Sequence, residues 1–363
     1  MHSTMSMLRA LLGAVRSVRH APRLAAALVP DDDVLLDAPD ERLAPALVAA
    51  ALGDPEPAAK LLATTRDAGE WEDRDRYVTR LATFAHGRGD WLTGWLSATP
   101  GDPDALLVMA QLAVRRAWES PARAERLREL APLVREVAGE APHDPVPWRL
   151  ALDHARGAHA GHAVFESLWE QAVRRSPHHY GCHVAALKYL SAQWYGSHRA
   201  AFDFAEQAAE DSAADSLVRA LPVRAAYDGL RVPPGPDGSV PADRVDRAVA
   251  DALALSAAFP AGDPWPAEVR NLLAYVLVER GRWEEAWQEF GRTGAFATSF
   301  PWGAARDAVS EDPPPGPRLR PGRGDPLLRF LAARDRVRGE LARRTPLRDT
   351  GRGRAGRDGP GGH

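Results

Sequence analysis

Apolar side chains recur three and four residues apart along most of this 363-residue chain, which is the spacing of one face of an α-helix. The stripes are Leu106–Ala117, Leu127–Val134, Trp148–Ala155, Val164–Val173, Val184–Trp194, Val269–Leu277 and Trp283–Phe290. No stretch alternates β-branched with polar residues as a strand does, and the chain contains no isoleucine. These features predict an all-α fold without a sheet.

Breaks that contain proline separate the stripes. Asp102–Pro103, Asp144–Pro145 and Ser176–Pro177 each place a residue that can cap a helix before a proline suited to the first turn. The third break is expected to put His179 in the first turn of the next helix. The breaks lie 42 and 32 residues apart, which leaves room for two helices and two turns. An interval of this kind predicts antiparallel helix hairpins stacked side by side in an α-solenoid.

Composition divides the chain into five regions. Residues 1–30 alternate apolar positions with arginines, which predicts an amphipathic helix that either docks on a partner or touches a membrane surface. The helical-repeat domain is expected over 31–310, with a loop of turn residues at 231–241. The remaining regions are a linker rich in Pro, Gly and Arg (311–326), a short helix (327–344) and a disordered basic tail (345–363).

Charge is unevenly distributed, although the formal net charge is only −3. From Arg318 to the end there are thirteen arginines and five acidic residues, so this part carries +8 and the rest −11. We expect no specific binding of nucleic acid by the negative part, whereas the tail offers weak attraction to polyanions. Cys182 is the only cysteine, which excludes an intramolecular disulfide and fits a reducing cytoplasm.

One segment resembles a known repeat family. Residues Asn271–Phe290, with the sequence NLLAYVLVERGRWEEAWQEF, are similar to one tetratricopeptide repeat unit. Arg270 stands where that family usually has tryptophan, and Thr293 replaces a small alanine. The texture of Asp144–Asp228 is similar to bacterial helical-repeat proteins of unknown function. The resemblance implies a right-handed helical stack whose concave face binds peptides or protein surfaces, and it implies no catalytic residue. The matching residues are Leu273, Ala274, Gly281, Trp283, Ala286 and Phe290.

A histidine-rich segment gives the sharpest indication of chemistry. In HHYGCH, His179 and His183 are four residues apart and would share one helix face, with Cys182 close by. Imidazole and thiolate are good zinc ligands, and three more histidines lie between residues 154 and 162. No acidic residue accompanies the pair as in the HExxH motif, and Gly181 weakens the helix. The segment predicts histidines at a helix surface or interface, with a zinc site as the alternative.

Aromatic residues at the end of one stripe and outside the stripes are candidates for contact with a partner. The turn before His198 has Ser197 as a predicted N-cap, and it either packs Trp194 inward or presents Tyr195 and His198 at a binding rim. Trp265 and Trp302 stand beside prolines and are candidates for exposed contacts or for packing caps. The predicted partner-binding residues are Trp194, Tyr195, His198, His179 and His183.

We expect a non-enzymatic interaction scaffold or adaptor that binds a protein partner on its concave face, without metal or cofactor. The phosphate-binding loop, the GxGxxG turn and the GxSxG elbow are absent from the sequence. No window approaches the roughly 18 apolar residues of a membrane span. Two alternatives stay open: a metal-dependent enzyme that uses histidines between His154 and His198, and an accessory protein that binds polyanions through its basic tail.

Overall fold

A computed structural model of the protein describes residues 28–140, 142–232, 238–303 and 325–344. Helices make up 73% of these residues, so the predicted all-α class is confirmed. Most of the N-terminal helix expected at 1–30, most of the linker at 311–326 and the whole tail at 345–363 lie outside the described residues.

The helices follow one another through short turns. The first eight are α1 (Leu43–Ala51), α2 (Glu56–Ala68), α3 (Trp71–Gly87), α4 (Asp90–Ala98), α5 (Pro103–Trp118), α6 (Arg123–Glu129), α7 (Ala131–Gly139) and α8 (Val146–Gly157). The others are α9 (His162–Arg175), α10 (Tyr180–Tyr189), α11 (His198–Asp211), α12 (Leu221–Arg231), α13 (Ala242–Ala258), α14 (Ala267–Glu279), α15 (Trp283–Thr293) and α16 (Pro326–Arg344). Short 3₁₀ helices at Asp31–Asp33 and Leu217–Ala220 and a helical turn at Ser299–Trp302 complete the set.

Side-chain caps fix where several helices begin. The Asp102 carboxylate accepts the backbone N–H of Ala105 at 3.1 Å, and the Ser197 hydroxyl accepts that of Ala200 at 3.1 Å, as the sequence predicts. The prediction for Ser176 is wrong, because Ser176 ends α9 in an extended conformation. Helix α10 begins at Tyr180, and its N-cap is His179, whose Nδ1 atom accepts the N–H of Cys182 at 3.2 Å.

Buried apolar residues form clusters that succeed one another along the chain. The first cluster runs from Leu43 to Ala158 and joins α1–α8, and a second joins α8–α10. A third joins α10–α13, and a fourth joins α12–α16 around Leu272, Leu273 and Phe290. Successive clusters share helices, so the buried apolar core passes from one group of helices to the next.

Helices α14 and α15 form a hairpin over the segment for which the sequence predicts a tetratricopeptide repeat. Gly281 has a left-handed φ of +69°, which lets the chain reverse between the two helices, and the Trp283 ring packs over it. Arg270, which departs from the family pattern, is fully buried. It donates hydrogen bonds to the carbonyl oxygens of Ser256 and Phe259, both at 2.9 Å. The departure therefore ties this hairpin to α13.

The start of the described chain pairs with the segment that follows α15. Strand β1 (Leu35–Leu36) pairs in parallel with strand β2 (Phe296–Ala297). The Leu35 N–H donates to the Ala295 carbonyl at 2.8 Å, and the Asp37 carboxylate accepts the Ser299 N–H at 2.9 Å. This two-residue ladder corrects the expectation of no sheet. Backbone groups of an extended segment need partners, and a neighbouring extended segment supplies them.

Contacts between distant parts of the chain distinguish the fold from a simple stack. In a solenoid each repeat touches only its neighbours. Here α3 contacts α8 and α10 as well as α2, α4 and α5, which are close to it in the chain. The Arg76 guanidinium also donates to the Trp265 carbonyl at 3.1 Å, across 189 positions of sequence. Among the described helices, none has the length and apolar character needed to cross a membrane.

Candidate functional site

An open cleft of about 350 Å³ lies where the beginnings of α3, α10, α14 and the 3₁₀ helix at Leu217–Ala220 come together. It is lined by Gly69, Trp71, Glu72, residues 176–178, residues 215–217 and Trp265. These segments are far apart in sequence, so the cleft exists only because the long-range contacts hold α3 against α10 and α14.

The turn between α2 and α3 presents the first indole of the cleft. Gly69 ends α2 with a left-handed φ of +69°, and the Trp71 ring lies 3.9 Å from the position where a Cβ atom on Gly69 would be. The Trp71 N–H donates to the Gly69 carbonyl at 2.9 Å. The glycine thus gives the chain a sharp turn that leaves Trp71 half-buried at the cleft wall.

Trp265 provides the second indole, in the turn before α14. The Asp263 carboxylate accepts the Trp265 N–H at 2.8 Å and fixes this turn. The Arg76 guanidinium lies over the Trp265 ring at 4.4 Å from its centroid, a cation–π contact that ties α3 to α14. The sequence predicts Trp265 and Trp302 either as exposed contacts or as packing caps. Trp265 is half-buried in the cleft wall, whereas Trp302 is a core residue that is 4% exposed.

Acidic groups give the cleft its charge. Glu72 and the exposed Asp215 supply two carboxylates, and the exposed His178 is the one imidazole in the lining. Glu72 Oε1 accepts the Tyr180 N–H at 2.6 Å, which holds the carboxylate against the start of α10. Burial raises the pKa of Glu72, while nearby His179 and this hydrogen bond act in the opposite direction. Among the described residues that line the cleft none is a lysine or arginine, and its two carboxylates favour a positively charged ligand.

A buried network joins α3, which borders the cleft, to α8 and α10. The Arg149 guanidinium donates twice to Asp75 Oδ1, at 2.5 and 2.9 Å, and joins α8 to α3. The Asp75 carboxylate lies 3.9 Å from the Nε2 atom of His179. Helix α10 crosses α3 so closely here that a Cβ atom on Gly181 would lie 2.2 Å from Asp75 Oδ2. Gly181, which looks like a weakness in the helix sequence, therefore permits this crossing.

The five predicted partner-binding residues differ in burial. His179, His183 and His198 are 1%, 5% and 7% exposed, so they are interior residues and do not form a contact surface. His183 Nδ1 donates to the His179 carbonyl at 2.9 Å. Buried polar groups nearly always have a hydrogen-bond partner, and this contact supplies one for His183. Tyr195 is 45% exposed, and the half-buried Trp194 packs edge-on against Trp118 at 5.6 Å between ring centroids.

The histidines proposed for an alternative metal site do not converge. His154 Nε2 donates to the Leu127 carbonyl at 2.6 Å, and the Nδ1 atoms of His159 and His162 pair with the hydroxyls of Tyr195 and Tyr189 at 2.8 and 3.1 Å. Within the part of the chain that the structure describes, no group of three or more His, Cys, Asp or Glu side chains is arranged to hold a metal ion.

Comparison of the chain with protein-family models, curated proteins and solved structures gives no match. The resemblance of Asn271–Phe290 to a tetratricopeptide repeat therefore stays a prediction. Function has to be inferred from the chemistry of the cleft.

Sequence reasoning missed most of the cleft. Trp71, Glu72 and Asp215 lie in turns or at helix starts. The helical spacing of apolar residues does not indicate any function for residues at such positions. A weak signal was present in the pairing of a glycine or proline turn with a tryptophan, as in Gly69–Trp71 and Pro264–Trp265. Nothing in the sequence indicates that these two turns meet, since Glu72 and Trp265 are 193 positions apart.

Proposed function

We propose that the protein is a non-catalytic interaction scaffold of the cytoplasm that holds a cationic side chain of a protein partner in this cleft. The observation that carries the proposal is the grouping of two indoles, Trp71 and Trp265, with two carboxylates, Glu72 and Asp215, around one opening. Aromatic faces attract cations through the ring quadrupole, and carboxylates attract them through charge. Both features favour the same class of ligand.

The dimensions of the cleft support a single long side chain as its occupant. Its volume of about 350 Å³ is small for a ligand site. The contact of Arg76 with Trp265 illustrates within the molecule how an indole in this position holds a guanidinium. A cation–π contact contributes about 0.5–2 kcal/mol, so the cleft would provide specificity inside a larger and weaker protein contact.

The proposal includes no catalytic step, metal or cofactor. The single thiol, Cys182, is free and buried, which supports a reducing compartment such as the cytoplasm. The metal-dependent alternative needs histidines that are free to meet, and all of those from His154 to His198 except the exposed His178 are engaged with separate protein groups. Zinc at one equivalent in tag-free protein would revive that alternative.

The test measures binding of a short capped Gly–Arg peptide by titration calorimetry, beside the same peptide with citrulline in place of arginine. Citrulline keeps the shape of arginine and removes its charge, so we expect measurable affinity only for the arginine peptide. The double variant Glu72→Gln/Asp215→Asn should weaken binding about five- to tenfold, because two partly exposed ion pairs are lost. Gln at position 72 can still accept the Tyr180 N–H.

The matched control removes the same charge elsewhere. Glu125 and Asp251 are exposed residues of α6 and α13, and Glu125→Gln/Asp251→Asn should leave the affinity within about twofold of the unmodified protein. Equal binding of the arginine and citrulline peptides, or equal loss in both double variants, would contradict the proposal.

A further inference from the structure

A patch of indole rings and arginines lies where α5 ends, α6 begins and α8 ends. Trp118 is the last residue of α5, Arg123 is the first of α6, and Arg156 stands one position before the end of α8. Trp194, from the turn before α11, meets Trp118 edge-on at 5.6 Å between ring centroids. Gly157 permits this packing, because a Cβ atom there would lie 2.5 Å from Cζ2 of Trp118. Trp118, Arg123, Arg156 and Trp194 are called the indole patch below, and all but Arg156 are half-buried and so reach the surface.

Both arginines of the indole patch contact both of its rings. The Cζ atom of Arg156 lies 4.4 Å from the ring centroid of Trp118 and 4.7 Å from that of Trp194. The Cζ atom of Arg123 lies 5.0 and 5.4 Å from the same two centroids. Ring faces attract cations, which explains how two like charges are held near each other. An indole is neutral, however, so the rings supply no counter-charge.

The two guanidinium groups have few hydrogen-bond acceptors. The Arg156 side chain is only 3% exposed, and its Nη2 atom donates to Asp153 Oδ1 at 3.3 Å. Among the described residues, the buried Nε and Nη1 atoms of Arg156 and the buried Nε atom of Arg123 have no acceptor. Over the same part of the chain, Arg123 forms cation–π contacts but no hydrogen bond or ion pair. Donors of this kind nearly always have partners, so the patch has the capacity to bind an anion.

Neighbouring carboxylates balance the other arginines but not Arg123. The Asp75 carboxylate lies 2.5 Å from Arg149 Nη2. The Asp153 carboxylate contacts both Arg149 and Arg156, at 3.4 and 3.3 Å. These two carboxylates match the charges of Arg149 and Arg156, so Arg123 leaves one positive charge in surplus.

Two other carboxylates are close to Arg123 in sequence but do not pair with it. Glu119 contacts His86 Nε2 and Arg115 Nε, both at 3.5 Å. Glu125 is two positions from Arg123 on α6, and side chains at that spacing do not face each other on a helix. The surplus charge of Arg123 is therefore available to a ligand.

His159 and Tyr195 lie beside the indole patch. His159 is exposed and has a left-handed φ of +57°, which costs free energy in a residue other than glycine and is typical of binding sites. Its ring centroid lies 5.7 Å from that of Trp194, and its Nδ1 atom pairs with the Tyr195 hydroxyl at 2.8 Å. When Nδ1 accepts the hydroxyl hydrogen, the imidazole carries its own proton on Nε2, which gives a second donor next to Arg123 and the indoles.

We propose that the indole patch binds a carboxylate in an acidic segment of a protein partner. One carboxylate balances the surplus charge of Arg123, and the planar guanidinium fork matches a carboxylate in geometry. The indoles cover the apolar stem of the acidic side chain. A nucleic acid would need several cations along its backbone, whereas the patch has one in surplus and the chain before Arg318 carries −11. The proposal does not depend on the cleft between α3, α10 and α14, which other residues line.

Two-dimensional NMR of the isotope-labelled full chain tests the proposal with three probes: a capped Glu–Gly–Glu–Gly–Glu peptide, the same peptide with glutamine for glutamate, and a short oligothymidylate. The indole N–H signals of Trp118 and Trp194, assigned with Trp118→Phe and Trp194→Phe, report contact at the patch. We expect saturable shifts with the glutamate peptide and an affinity at least about fivefold above that of the glutamine peptide. Absence of shifts, or equal affinity for the two peptides, would overturn the proposal. Tighter binding of the oligothymidylate would also overturn it, in favour of a nucleic-acid partner.

Matched variants locate the contact. Arg123→Gln should weaken binding of the glutamate peptide about three- to fivefold, because one partly exposed ion pair is lost. Arg247 is an exposed residue of α13, and Arg247→Gln removes the same charge elsewhere, so its affinity should stay within about twofold of the unmodified protein. Arg123→Lys keeps the charge and should also stay within about twofold. Equal weakening in Arg123→Gln and either of the other variants would overturn the assignment.

Discussion

Arg74 and Asp144 form a buried ion pair between α3 and the turn before α8, with 2.6 Å between Arg74 Nε and Asp144 Oδ2 and side chains that are 2% and 3% exposed. The same guanidinium donates to Asp104 Oδ1 at 2.6 Å and to the Leu62 carbonyl at 2.9 Å. One buried cation thus joins α2, α3, α5 and α8. The charge and the N–H donors of Arg74 are satisfied only when all of these partners are in place.

Removing the Asp144 carboxylate should be strongly destabilising. Asp144→Ala leaves the Arg74 charge buried without one of its two carboxylates and removes the acceptor of the Val146 N–H at 2.8 Å. We expect the free energy of unfolding to fall by about 3–5 kcal/mol, measured by urea denaturation followed by circular dichroism. Asp67→Ala is the control, because its pair with Arg66 is 3.6 Å long and Asp67 is 74% exposed. A loss below about 1 kcal/mol for Asp144→Ala would contradict the assigned role.

The close crossing of α10 over α3 predicts a steric cost at Gly181. A methyl group there would lie 2.2 Å from Asp75 Oδ2 and would push on the Arg149 pair. We expect Gly181→Ala to lower the free energy of unfolding by about 1–3 kcal/mol. Gly94 lies inside α4 with open space around it, so Gly94→Ala should stabilise the protein by up to about 1 kcal/mol. If both substitutions changed the free energy of unfolding in the same direction, steric crowding at the crossing of α10 over α3 would not explain the effect at Gly181.

His183 makes stability depend on pH. Burial lowers the pKa of this imidazole from 6.5 to about 4 in the folded protein. The unfolded chain therefore takes up a proton first as the pH falls, and stability present above pH 6.5 is lost between 6.5 and about 4. Between pH 7 and pH 5 this contribution amounts to about 2 kcal/mol.

The measurement compares urea unfolding at pH 7 and pH 5 for the unmodified protein and for His183→Leu. The variant should show a smaller difference between the two pH values, because its neutral side chain takes no proton in either state. His143 is exposed, and His143→Gln provides a matched deletion of one imidazole that should leave the difference unchanged. An unchanged difference in His183→Leu would rule out His183 as its source.

The contact between Asp37 and Ser299 should hold the start of the described chain in place. The Asp37 carboxylate accepts both the N–H and the hydroxyl of Ser299, next to the ladder of Leu35 with Phe296. We expect Asp37→Ala to speed hydrogen exchange at the Leu35 amide by at least about tenfold, since local opening then costs less. Asp32→Ala, an exposed acidic residue of the same segment, should leave that amide as it was. If hydrogen exchange at the Leu35 amide were unaltered in Asp37→Ala, the contact between Asp37 and Ser299 would not be what holds this segment in place.

Local patterns predicted the elements well. Helical spacing of apolar residues identified α14 and α15, and the glycine between them, Gly281, has a left-handed backbone. Asp102 and Ser197 cap helices as expected. The cap at α10 was misplaced because His179 can also accept an N–H, and only the observed start at Tyr180 distinguishes it from Ser176. The residues that contact a partner were harder to predict. Helical spacing indicates which residues share one face of a helix, but not whether another helix covers that face.

By itself the sequence determined the all-α class, most helix positions and several of their caps, because these depend on contacts within about four residues along the chain. Tertiary structure alone decided that Glu72 and Trp265 share one cleft, that Leu35 pairs with Phe296, and that His183 is interior. Each of these depends on which helix packs against which other helix. That choice minimises exposed apolar area and unpaired polar groups over the whole molecule, and it leaves no local mark in the sequence.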